Sequence, residues 1–578
     1  MYLAGPSFLR WNFGLIVNWH RNNKLSLATQ PKRTSTMRTH PPFRTRLIVC
    51  LFAIICINMC VQSAEDVTRT NAIEASTTKQ IYYPYWIYDG AAGKYITQTA
   101  ADYDKPDSRF STTRMKQTDN CVIFWEAGYG DNPETAPVGY KVALTGILAE
   151  LESLYAFYRD DLAFVQKNPS LTDQYKMVAF LFYNKDWGTV YGSGADDKVG
   201  VVLLYPSRIQ SAPYGALAHE LGHSFQYMVG ADGKVGFEGT AWEMTSQYML
   251  WQFYNNWPTF EGYHVTAFMN QTHLAFMHPD NQYHSPFVLE YWADLHGKAL
   301  VGNLWNRSLK GEDFVMTYKR LNSLTQEAFN DELFEGVRRF VTWDLKRGNT
   351  LTQHANKHTY KLDDIGNGWL QVPASHAPQN YGYNAIRLNA ASAVGKEITV
   401  DFNGLTEAEG YTYFNKNQAG WRYGFVAYLR DGTRVYSAMG SDAQGRLSFT
   451  VPTNTSYLWF VAMGAPALHW KHTDTNIAQW PYKLRFGNTN LYGKANNPPV
   501  GLTEVDDNAI RVSLADEKMS IANMPASAST IRLCTLDGKQ VLMTPVIGTS
   551  YSTTLPKGIY VLSIDIPQGN YRQLIRMD

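Results

Sequence analysis

The stretch Ala218-His219-Glu220-Leu221-Gly222-His223-Ser224-Phe225-Gln226 sets two imidazoles four residues apart with a carboxylate between them. On a helix, residues four apart stack on one face, so His219 and His223 can offer two ring nitrogens to one ion. Glu220 lies beside them, where a carboxylate can hold a water and take its proton. Leu217, Leu221, Phe225 and Met228 fall at helical spacing on the other side. That pattern predicts a helix with one buried face and one face free for metal. The chemistry expected is Zn2+-dependent hydrolysis with Glu220 as the base.

Zinc needs a third protein ligand and a fourth position for water. Glu238 and Glu243 are the candidates downstream. Glu238 lies between Gly236 and Gly239 and reads as loop. Glu243 opens a segment of helical composition, Ala241 to Phe253, with nineteen residues between it and His223, and is the expected ligand. Gln247, one turn later, can orient an imidazole or simply cover the helix surface. A hydrolase also needs a donor for the oxyanion. Tyr283 and His284, within Pro279 to Pro286, are the candidates, with a cap or loop packing as the alternative. His264, His273, His278 and His296 have no partner spacing and read as structural or solvated.

These residues need a scaffold. Apolar runs at 119–126, 176–183 and 199–205 read as strands, the last two buried. Gly192, Gly194 and the pair Asp196-Asp197 read as the loop between the second and third, a solvated turn or a calcium site. Helical periodicity runs through Leu144, Leu148, Leu151 and Tyr155. It returns from Phe287 to Leu295 and over 312–346, where Leu333, Val337, Phe340 and Val341 make one stripe. From Tyr381 to Phe486 short alternating strands separated by Asp431-Gly432, Gly440 and Pro452 predict a β-sandwich. Trp421, Trp459, Trp470 and Trp480 fit its core, or a glycan platform. His469 and His472 are a weak metal signal, since extended structure puts them on opposite faces.

The 578 residues exceed one domain. Hydrophobic residues are 45% and charged ones 18%, enough apolar content for sizeable cores. A net charge of +1 argues against nucleic acid as a partner. Cys50, Cys56, Cys60, Cys121 and Cys534 form neither a disulfide framework nor a cysteine zinc site.

Asn120 to Glu126, His219 to Gln226, Trp242-Glu243 and Arg338 to Leu345 together resemble a family of secreted gluzincin-like proteins of unassigned function from bacteria and fungi. The resemblance spans about residues 103–490. It implies a thermolysin-like zinc site with His219, His223 and Glu243 as ligands and Glu220 as base. The run from strand through a short loop into the metal helix matches the thermolysin type, in which the strand edge pairs with the substrate backbone.

Both ends of the chain read as export signals. An apolar run at 47–61, about fifteen residues, is short for a membrane span. Arg44 and Arg46 precede it and Val61-Gln62-Ser63 follows, which predicts a signal peptide cleaved after Ser63. A lipid anchor at Cys60 and an uncleaved anchor are the alternatives. Met37 is the natural start of such a signal, so residues 1–36 read as an over-extended gene start. No span is expected in the mature form. Asn496 to Pro499 reads as a linker. Beyond it, Asp537-Gly538 and Leu555-Pro556-Lys557-Gly558-Ile559-Tyr560-Val561-Leu562 resemble the C-terminal sorting domain of type IX secretion; an ordinary small immunoglobulin-like module is the alternative. The resemblance implies the type IX machinery as a partner and release from the cell or attachment to its outer surface.

The expected architecture is α+β. After residues 1–63 come a thermolysin-like zincin domain at 64–375, a β-sandwich at 376–495 and a small immunoglobulin-like β domain at 503–578. The expected function is a secreted zinc peptidase acting on protein or glycoprotein. The alternative is a surface glycan- or protein-binding protein on a peptidase-like scaffold.

Overall fold

The computed structural model describes residues 79–473, 475–493 and 510–577, the last with short gaps at 516, 526–527, 529, 536–538 and 567–568. The apolar run at 47–61, the Asn496 to Pro499 linker and the Asp537-Gly538 turn lie outside the described residues. The chain is mixed α+β.

A hairpin, β1 (Trp86–Asp89) and β2 (Lys94–Thr97), opens the described chain. A five-stranded sheet follows in the order β3-β4-β5-β7-β6. Its middle strands β4 (Cys121–Trp125), β5 (Met177–Leu181) and β7 (Val199–Leu204) are parallel. Their unbroken apolar runs suit strands covered on both faces. Val122 and Phe124 turn to a core shared with Ile87, Tyr103 and Phe110. Cys121, Ile123 and Trp125 turn to the helices. The strands β3 (Met115–Gln117) and β6 (Tyr191–Ala195) are antiparallel edges.

Here the structure corrects the sequence reading. Gly192 and Gly194 belong to edge strand β6, not to a loop, and the strand ahead of the metal helix is interior. The turn is Asp196 to Lys198, closed by the Lys198 N–H donating to the Ala195 carbonyl at 2.9 Å, with Asp196 and Asp197 at positive φ of 54° and 50°. Their carboxylates accept hydrogen bonds from the Tyr82 and Tyr227 hydroxyls.

Among the described residues, eight helices of eight residues or more cover the sheet and build outward: α1 (Leu144–Ala156), α2 (Gly215–Ala231), α3 (Ala241–Phe253), α4 (Gly262–Asn270), α5 (Phe287–His296), α6 (Leu300–Arg307), α7 (Phe314–Leu321) and α8 (Gln326–Phe340). The α2 stripe Leu217, Leu221, Phe225 and Met228 is buried, as is the stripe Leu333, Val337, Phe340 and Val341 along α8 and just past it.

Two antiparallel sheets form the sandwich. One has the order β10 (Tyr383–Leu388), β15 (Thr455–Gly464), β12 (Trp421–Leu429), β13 (Arg434–Tyr436). The other runs β14 (Gln444–Thr450), β11 (Glu397–Gly404), β16 (Tyr482–Gly487), β9 (Leu370–Gln371), β8 (Asp363–Asp364). Strands β8 and β9 begin the sandwich ahead of the expected boundary at 376. Strand β15 divides its residues between two cores. Leu458, Phe460 and Ala462 face the sandwich interior, and Trp459, Val461 and Met463 face the helices. Polar bonds reinforce the seam: Arg338 donates to the Ser437 carbonyl at 2.7 Å, and His469 meets Asp313 at 2.8 Å. An isolated 376–495 fragment loses two strands and bares that apolar face. It is expected to elute as aggregate in size-exclusion chromatography, where the full chain elutes as a defined species.

Trp421, Trp459 and Trp480 are buried, and Trp470 packs against the sandwich core. The three buried rings are core and Trp470 is half-buried against it, which leaves no four-ring glycan platform. The tail holds two small antiparallel sheets, one of β17 (Arg511–Ala515), β18 (Lys518–Ala522) and β21 (Tyr551–Thr554). The other is β20 (Gln540–Pro545), β19 (Thr530–Thr535), β22 (Gly558–Ile566) and β23 (Gly569–Met577). Met519, Ile521, Ile531, Leu533, Leu562 and Ile564 make their common core. Among the described residues no helix is long and apolar enough to cross a membrane.

Candidate metal centre

Helices α2 and α3 pack side by side and converge three donors. His219 Nε2 lies 3.0 Å from Glu243 Oε2, His223 Nε2 lies 3.2 Å from the same oxygen, and the two Nε2 atoms are 3.1 Å apart. Among the described residues this is the one group of three or more such side chains close enough to share an ion. Glu238 is elsewhere: it is 83% exposed and pairs with Lys471. His469 and His472 contribute to no such group.

The donor set fits zinc. Bonds of about 2.0–2.1 Å in a tetrahedral site space the donors about 3.3 Å apart. The far nitrogens are anchored as a ligating imidazole requires. His219 Nδ1 faces Gln247 Oε1 at 3.3 Å, and His223 Nδ1 faces Gln226 Oε1 at 2.9 Å. An amide oxygen only accepts, so each Nδ1 carries the proton and each Nε2 is turned to the shared point. Gln226 is held in turn by donating to the Trp242 carbonyl at 2.9 Å, and the Trp242 ring stacks on His223. The centre attracts positive charge. Burial alone would lower His223, but the hydrogen bond and charge of Glu243 push it up to about 9. Burial would raise Glu243, and the two imidazoles outweigh it and hold the carboxyl well below its usual range.

Glu220 is positioned from the other side. The Gly192 N–H donates to Glu220 Oε2 at 2.5 Å. Glycine is required there, because a Cβ on Gly192 would sit 1.7 Å from the Glu220 carbonyl oxygen, and one on Gly194 would sit 1.9 Å from the Tyr227 ring. Burial raises the Glu220 pKa against the pull of both imidazoles, which makes it a better proton acceptor than a solvated carboxylate.

Of the two expected oxyanion donors, the structure brings Tyr283 to the centre. Its ring stacks on His219 with centroids 6.0 Å apart, and burial together with the charge and hydrogen bond of Glu243 raises its phenol. His284 points its Nδ1 at His264 Nδ1, 2.7 Å away, and so serves a histidine pair beside the centre. A role for His284 at the oxyanion would fall to its other ring nitrogen, Nε2. Gln226, Trp242 and Gly192 were given no role by the sequence reading. The Gln226 signal was its place one helical turn after His223. Nothing in the pattern pointed to Gly192, whose part depends on a strand twenty-eight residues from Glu220. Gln226→Ala is expected to weaken zinc binding about 10–100-fold, measured by competition with a chromogenic chelator.

No curated protein matches the sequence. Solved structures similar to parts of it include a β-glucuronidase from Ruminococcus gnavus in complex with uronic deoxynojirimycin. That match has 13% identity over 36% of this chain and 36% of that one, with a TM-score of 0.13. Another is the apo structure of Bacteroides uniformis β-glucuronidase 3, with 14% identity over 34% of this chain and 27% of that one, and a TM-score of 0.13. The chain thus spans about a third of the length of the structures it matches. Likeness at that level carries no argument about activity. The model of a family of unknown function, DUF6055, matches residues 74–493, and the chain belongs to that family.

Proposed function

We propose that the protein is a zinc-dependent hydrolase, a peptidase acting on protein or glycoprotein, with a zincin-type centre of thermolysin-like arrangement. The observation that carries this reading is the convergence of His219, His223 and Glu243 beside a buried carboxylate, Glu220. His219, His223 and Glu243 would hold the ion. When bound, zinc would polarise the scissile carbonyl and lower the pKa of a water.

Glu220 takes the proton of the attacking water and returns it to the leaving amine. The Gly192 N–H keeps one carboxylate oxygen fixed, so the other is free for the transfer. Tyr283 supplies a hydroxyl beside Glu243 that can donate to the oxyanion. Edge strand β6 leaves one side unpaired within its sheet, a backbone surface suited to pairing with an extended peptide. The test is digestion of a peptide library by the purified chain, with products identified by mass spectrometry. Internal cleavage that stops with a chelator and returns with zinc supports the reading; an intact library at full zinc loading refutes it.

Secretion is part of the same proposal. The apolar run at 47–61, which reads as a signal peptide, and the tail resembling a type IX sorting domain support work outside the cell or on its outer surface. Mass spectrometry of the secreted protein is expected to find a mature N-terminus after Ser63; the protein retained in the cytoplasm with residues 1–63 intact would contradict it.

A further inference from the structure

Tyr283 reaches the metal centre from a turn rather than from a helix. It lies ahead of α5 and is 37% exposed. A tyrosine so placed is free to turn about its side-chain bonds unless its neighbours fix it. A group that meets an oxyanion has to stay within about 0.5 Å of its working position. The ring therefore needs support from outside its own segment.

Two imidazoles lie nearly parallel to it. His219, the metal-site histidine, is 6.0 Å away between centroids, with the planes 27° apart. His264 is 6.3 Å away, with the planes 21° apart. His264 belongs to the first turn of α4 and is only 8% exposed. The indole of Trp257 lies nearly parallel to it in turn, at 6.0 Å and 20°. Its Nδ1 meets Nδ1 of His284 at 2.7 Å, and Glu261 stands 3.9 Å from its Nε2. Burial lowers both imidazoles, His264 to about 3, so both are neutral at neutral pH. One proton then lies between the two Nδ1 atoms, and that bond fixes the rotation of the His264 ring. His284 is the next residue after Tyr283, so the same bond ties the segment to α4. Gln247 adds a tie from α3. Its Nε2 donates to the Tyr283 carbonyl at 3.3 Å, and its Oε1 faces His219 Nδ1 at 3.3 Å.

We propose that His264 is a positioning residue for the oxyanion donor, fixing the plane of the Tyr283 ring and the place of its segment; this rests on the hydrolase reading above. An apolar side chain would fill the space beside Trp257 without burying polar atoms. The imidazole does two things that such a side chain cannot do together. It offers a flat face to Tyr283 and a hydrogen bond to His284.

The test is a double-mutant cycle on the full zinc-loaded chain, with a peptide that the unsubstituted protein cleaves. Tyr283→Phe removes the hydroxyl and is expected to lower kcat by on the order of 10²-fold with KM unchanged. His264→Ala is expected to lower kcat about tenfold, again with KM and zinc content unchanged. The double variant is expected to be no slower than Tyr283→Phe alone, because His264 acts only through that hydroxyl. His264→Phe restores a flat ring and is expected to recover to within about threefold of the unsubstituted rate. Losses that multiply in the double variant, a full rate in His264→Ala, a change in KM alone, or a His264→Phe as slow as His264→Ala overturns the proposal. If the unsubstituted chain at full zinc cleaves nothing, the hydrolase reading falls and the positioning is read by hydrogen exchange over residues 281–286. Exchange there is expected to be about tenfold faster in His264→Ala than in His264→Phe. Equal exchange in the two variants overturns the positioning as well.

Discussion

Glu220→Gln is expected to lower the peptide hydrolysis rate by on the order of 10²–10⁴-fold, while the zinc content stays that of the unsubstituted chain. The amide keeps the size and the oxygen that accepts from the Gly192 N–H, so the fold around β6 and α2 is retained. It cannot take a proton from water. Glu220 donates nothing to the triangle of His219, His223 and Glu243, so the metal has no reason to leave. Single-turnover rates with metal analysis on the same sample check both halves. A variant that keeps its rate shows that Glu220 is not the base.

The second large effect separates two glutamates that the sequence offers for one role. Glu243→Ala is expected to abolish stoichiometric zinc and, with it, hydrolysis, because the variant loses the charge that draws a cation between the imidazoles. Glu238→Ala is expected to change neither, since that side chain is 83% exposed and only meets Lys471. An exposed pair of this kind contributes little to stability. Equilibrium dialysis against zinc, followed by activity assays, compares the two. Zinc retained by Glu243→Ala would remove Glu243 from the centre.

The centre was legible because it obeys local rules. His219 and His223 are one turn apart on a helix whose buried stripe is plain in the sequence. Glu243 sits on the first turn of a helix whose limits the composition gave to the residue. What was missed depends on contacts between distant segments. Tyr191-Gly192-Ser193-Gly194-Ala195 has the composition of a loop, and it is a strand because glycine alone fits against α2. Strands β8 and β9 have two residues each, too few for a pattern. The run Leu458 to Met463 carried a usable signal: with no polar alternation, it belonged to a strand buried on both faces, and so to a sandwich joined to the helices. The tryptophans could be core or platform by composition, and burial decides for core.

Metal analysis of the full chain tests the central claim most directly. The protein is stripped with chelator, dialysed against excess zinc, freed of loose metal and measured by plasma mass spectrometry. The account predicts one zinc per chain, lost in His219→Ala, His223→Ala and Glu243→Ala alike. A chain that retains no stoichiometric zinc, or whose zinc survives all three substitutions, would contradict it.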